Sequence, residues 1–115
     1  IESQTRTVTH DELSVTGQQL ASELSSADRL ARAGNGSTPS NLRLRTDLPD
    51  RTTAGSYTIE IEHNGTEGTI ELRSTNPEIS VSIPFRSETS VQNASIGGGS
   101  VEIDYESDEL VVKPA

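Results

Sequence analysis

After Gly36 the spacing of apolar residues changes from a helical to an extended period, and that change limits what the chain can fold into. Before it, at 100° per residue, Gly17, Leu20, Leu24, Ala27 and Ala31 all lie within about 40° of Leu13. That narrow stripe predicts a helix that lies on one surface, with these residues as the helix–sheet packing positions. Gly34, Asn35 and Gly36 supply its stop, because Gly and Asn tolerate the left-handed conformation that closes a helix. Its start is less defined: Ser3, Thr5, Thr7 and Asp11 each suit an N-cap, and the polar run Glu2–Glu12 equally suits a helix continuing from upstream. Val8 and Val15 lie well off the stripe, Ser22, Ser26 and Arg29 lie opposite it, and Asp28 and Arg32 form an i,i+4 pair.

Beyond Gly36 the period is two. Leu42 and Leu44 alternate with Arg43 and Arg45, and Tyr57, Ile59 and Ile61 alternate with Thr58, Glu60 and Glu62. An Asn64-Gly65 turn leads to Ile70 and Leu72, a pattern that predicts a hairpin. Ile79, Val81, Ile83 and Phe85 share one face, with Pro84 marking a strand end or edge. Val91 and Ile96 flank a weaker strand, Val101, Ile103 and Tyr105 form the next, and Leu110–Lys113 closes the series. The longest loop runs from Thr46 to Ser56. Short connections pair sequential strands antiparallel, and an antiparallel sheet with one apolar face needs a cover. The expectation is an α+β fold, an N-terminal helix (residues 1–36) packed on an antiparallel β domain of about seven short strands (residues 37–115), forming one folding unit.

Only 30% of the 115 residues are hydrophobic and 3% aromatic, so the core is thin and rests on Leu, Ile and Val with Phe85, Tyr57 and Tyr105. A formal charge of −9 excludes nucleic acid and anionic membrane surfaces as partners, since no cationic surface is available to them. Of the nine basic residues, Lys113 is the single lysine against eight arginines and 18 acids, a composition that points to a protein adapted to high salt. Without Cys there is no disulfide or thiolate zinc site, and no apolar run approaches the roughly 20 residues of a bilayer span.

Chemistry is sparse. The glycines of Ser95–Ser100 lack the Lys-Ser/Thr of a phosphate loop, and His10 and His63 are the only imidazoles available to a hydrolase. His10, Asp11 and Glu12 are consecutive, so a helix points them about 100° apart and away from a common ion. Asp104, Glu106 and Asp108 are the densest oxygen ligands, with Asp104 and Glu106 on one strand face and Asp108 and Glu109 in a turn. They lack the spacing of a helix-loop-helix calcium site, so any cation association there is weak. These residues point to no catalysis, no cofactor and no small-molecule substrate. Three N-glycosylation acceptor triplets begin at Asn35, Asn64 and Asn93, each in an expected turn or loop.

The helix ending "LASELSSADRLARAG", the "LRSTNPEISVSIP" segment and the closing "GGGSVEIDYESDELVVKPA" together resemble small haloarchaeal type IV pilin-like proteins over most of the chain from Leu13. The resemblance implies an extracellular, non-catalytic structural subunit at the cell surface, the head of a type IV pilus or related secretion-type filament. It also implies a membrane-anchored precursor whose signal and hydrophobic helix precede this segment. The partners would be other pilin-like subunits, met through the helix with Val8 and Val15 as contact candidates, and an assembly machinery in the membrane. A secreted or membrane-anchored adhesin, in which the helix caps a β-sandwich, is the alternative.

Overall fold

A computed structural model describes residues 2–33, 43–75, 78–106 and 108–115. Helix α1 (Glu2–Arg32) is followed by β1 (Arg43–Thr46), β2 (Tyr57–Asn64), β3 (Glu67–Thr75), β4 (Glu78–Arg86), β5 (Ser90–Val91), β6 (Ala94–Gly97), β7 (Val101–Glu106) and β8 (Glu109–Pro114). The fold is α+β, as the change of period predicts. The helix reaches back to Glu2, so Ser3, Thr5, Thr7 and Asp11 lie within it and none caps it. Its last turn closes with Ala33 N–H donating to Arg29 O at 3.0 Å. The expected stop at Gly34–Gly36 lies outside the described residues.

The strands form two four-stranded sheets, one in the order β1-β7-β8-β5 and the other β4-β3-β2-β6. Pro84 lies in β4, which borders its sheet, so its missing N–H interrupts no inner ladder. Among the described residues there are eight strands rather than about seven because the expected Val91–Ile96 strand is two. Exposed Gln92 and Asn93 separate β5, which pairs parallel with β8, from β6, which pairs antiparallel with β2. The parallel pair is possible because the chain between β5 and β8 runs through β6 and β7, long enough for a crossover. Glu109, expected in the last turn, instead opens β8 opposite Glu106.

Helix and sheets enclose one core. Leu13, Leu20, Leu24 and Ala27 are fully buried and join Ile59, Ile61, Ile70 and Leu72 of one sheet and Val101, Ile103, Leu110 and Val112 of the other in a single apolar cluster. Ala31, at the edge of this contact, is half-buried. Gly17 lets the helix approach the sheet closely: a Cβ there would lie 2.5 Å from Ile83 Cγ1 and 2.7 Å from Leu72 Cδ1. The stripe extends further back than its apolar members, since Thr9 is also buried, and Thr16 is buried within it. Thr16 meets its hydrogen-bonding need within the helix, its hydroxyl donating to Glu12 O at 2.8 Å.

Candidate functional site

The helix has two unlike faces. Opposite the buried stripe, Val8 is 45% exposed and Val15 64%, with Leu30 also exposed further along. The separation follows from geometry, because residues seven apart on a helix fall on nearly one line and this line runs about 200° away from Leu13. Beside it an open groove is lined by Val8, Val15, Thr16, Gln19 and Pro49, with the acidic residues Asp11 and Glu12 at its side. Pro49 comes from the long loop between β1 and β2, which Glu12 ties down by accepting Thr53 N–H at 2.9 Å. Leu48 of the same loop is buried, so the groove has a fixed wall.

The helix end is fastened by a polar junction. Asp28 is buried and its Oδ1 accepts hydrogen bonds from both the amide and the hydroxyl of Thr89, each at 2.8 Å. Arg32 holds the same carboxylate in a fork, Nε to Oδ1 at 3.2 Å and Nη2 to Oδ2 at 3.2 Å. Burial raises the pKa of Asp28, but the hydrogen bonds from Thr89, Arg32 and the Glu88 backbone together outweigh it, and the net direction is downward. Thr89 belongs to the connection between β4 and β5, where the chain passes from one sheet to the other.

From the sheet side, His63 grips the same connection. Its Nδ1 lies 3.3 Å from Val91 N–H and its Nε2 lies 3.0 Å from Ser87 O. The Val91 amide can only donate and the Ser87 carbonyl only accept, so the ring is the tautomer with hydrogen on Nε2. It stacks on Phe85 with centroids 5.8 Å apart. His63 is thus a structural bridge between β2 and the segment that leads from β4 into β5.

Two of the acidic residues singled out in sequence, Asp104 and Glu106, face cations of the protein itself. Lys113 Nζ sits 2.8 Å from Asp104 Oδ2 and 2.9 Å from Glu106 Oε2, while Arg43 Nε lies 3.6 Å from Asp104 Oδ1. The hydrogen bond to Asp104, reinforced by that to Glu106, pushes the Lys113 ammonium well above its usual range. Asp108 stands apart in the turn with a left-handed backbone (φ 65°). On the helix, His10 Nδ1 is 3.8 Å from Asp11, and Glu12 is taken by Thr53. Among the described residues no three His, Asp or Glu side chains gather to hold a metal ion, and no helix is long and apolar enough to cross a membrane.

A family model matches residues 1–113, helix and both sheets together. The chain belongs to DUF7266, a family of unknown function. No curated protein and no solved structure matches it. In this DUF7266 chain two of the acceptor asparagines come together at one end of a sheet. Asn64 lies at the tip of the β2–β3 hairpin, and Asn93 Oδ1 accepts His63 N–H at 3.1 Å. The third, Asn35, lies outside the described residues.

Sequence reasoning missed the roles of Asp28 and His63. A signal for Asp28 existed, since it lies about 60° from Leu13 on the border of the apolar stripe, where an acid needs partners. None marked His63, whose partners are distant in sequence.

Proposed function

We propose that this chain is a non-catalytic extracellular structural subunit, a pilin-like head displayed in a filament of a salt-adapted cell. The observation that carries the reading is the two-faced helix: Leu13, Leu20 and Leu24 are fully buried on the head while Val8 and Val15 face outward. A helix of 31 residues, about 46 Å long at 1.5 Å per residue, is long enough to serve as a stem. On this reading Val8 and Val15 meet the helices of neighbouring subunits, and a membrane-embedded machinery assembles a precursor anchored upstream of this segment. The acidic surface, at −9 overall, keeps the head hydrated in brine.

The test is to label the full-length protein in its own cells with gold-tagged antibody against residues 43–115 and to image the cell surface by electron microscopy. Labelled filaments support the reading, and their loss on Val15→Asp, with the protein still folded and exported, places the contact on this face. Label spread over the envelope without filaments favours a surface adhesin instead. Protein confined to the cytoplasm overturns both.

A further inference from the structure

Two acceptor triplets lie beside each other, yet their backbones differ. In Asn64-Gly65-Thr66 the asparagine is paired with Glu67 in the last rung of the β2–β3 ladder, and Gly65 is left-handed at φ 68°. Thr66 is half-buried and its carbonyl accepts Ser87 N–H at 3.0 Å. Drawing this triplet into an extended form would open the hairpin and release the inter-sheet connection. Asn93-Ala94-Ser95 needs no such opening. Asn93 lies outside any strand and is exposed, Ser95 is exposed, and Ala94 and Ser95 belong to β6, which borders its sheet and is paired only with β2. A bordering strand is already extended and offers its outer side to another chain.

We propose that Asn93 is the site of N-glycosylation in the folded protein and that Asn64 is left bare; the inference rests on the extracellular placement proposed above. The donor is a sugar chain linked through its anomeric carbon to a polyprenyl phosphate or pyrophosphate. A bond forms between Asn93 Nδ2 and the anomeric carbon while the carbon–oxygen bond to phosphate breaks. The amide gives up one proton and the lipid phosphate departs with the bonding electron pair. Asn93 Oδ1 keeps its lone pairs, so its hydrogen bond from His63 N–H survives the modification. The attached sugar would lie over the open groove lined by Glu62, His63, Glu67 and Thr69, where carboxylates accept bonds from sugar hydroxyls.

The test is peptide mass mapping of full-length protein recovered from its own cells, with surface location established by protease shaving. The expected result is a glycan mass on the Asn93 peptide and none on the Asn64 peptide. Ser95→Ala should abolish the added mass while leaving the protein folded and at the surface, because it removes the acceptor pattern without touching the Asn93 side chain. A bare Asn93 in protein located at the surface, or glycan on Asn64 at equal occupancy, overturns this inference and leaves the structural reading standing. Protein found only in the cytoplasm overturns both.

Discussion

Asp28, on the last turns of the helix, accepts the amide and the hydroxyl of Thr89, 61 residues further along the chain, through one buried oxygen. Because the pKa of Asp28 is lowered in the fold, its contribution is fully present above the unfolded carboxylate value of about 3.9 and is lost as pH falls through the lower folded value. Asp28→Ala should cost about 2–3 kcal/mol at neutral pH, since it leaves the Thr89 donors without a charged acceptor. Urea unfolding at pH 7 and at pH 2.5 checks this. The gap between wild type and variant should narrow in acid, and an equal gap at both values would show that the loss is one of packing.

Gly17 sets helix propensity against space. Replacing it with Ala favours the helix by about 1 kcal/mol, but the new methyl enters the positions of Ile83 and Leu72. Overpacking of this kind costs about 1–3 kcal/mol, and Ile83 is approached at Cγ1 rather than at a chain end. Gly17→Ala should therefore lower the unfolding midpoint and Gly17→Val lower it further. A rise with Ala would show that the helix can slide away from β4.

Glu60 and Glu71 are direct cross-strand partners on β2 and β3. Like charges directly opposite destabilise a sheet, and salt relieves them. Thermal unfolding should shift upward between dilute buffer and molar potassium chloride. Glu60→Gln should be more stable than wild type in dilute buffer, by a few tenths of a kcal/mol, and the difference should vanish in high salt. No salt dependence at all would remove support for adaptation to brine.

Lys113 faces Asp104 and Glu106 across the last hairpin. Its pKa is raised in the fold, so what it contributes is fully present below the unfolded lysine value of about 10.4 and is lost as pH rises through the folded one. Lys113→Gln should lower the denaturant midpoint at pH 8, and wild type should converge on the variant as pH is carried past 11. Parallel curves would show that the ammonium is not the source of the difference.

The tautomer of His63 is open to direct observation. Nitrogen chemical shifts of the neutral ring should show a protonated, pyrrole-like Nε2 and an acceptor, pyridine-like Nδ1. The opposite assignment would mean that Val91 N–H is not bonded to the ring.

The helix and the long strands were legible because burial writes a period into sequence: Leu13, Leu20 and Leu24 repeat at helical spacing, and Tyr57, Ile59 and Ile61 alternate. β5 was not, because a strand of two residues is too short to carry a period. The partners of Lys113 depend on the β7–β8 register, and a residue's neighbours across a hairpin are fixed only when the turn is known. His63 and Asp28 reach the β4–β5 connection from different elements, and a relation between distant segments leaves no local pattern. The exposed pair Val8 and Val15 was visible as an angle off the stripe, whereas the wall that Pro49 adds beside it comes from a loop whose path only the fold reveals.

The way the helix is fastened also has a mechanical side. Leu13 through Ala27 lie in one row against the head, and the Asp28–Thr89 bonds sit at the far end of that row from Glu2. Tension applied at the Glu2 end is therefore carried in shear across all these contacts at once, instead of peeling them apart one by one. The Asp28–Thr89 bonds share that load, so a pull along the helix axis also reaches the connection that passes between the two sheets.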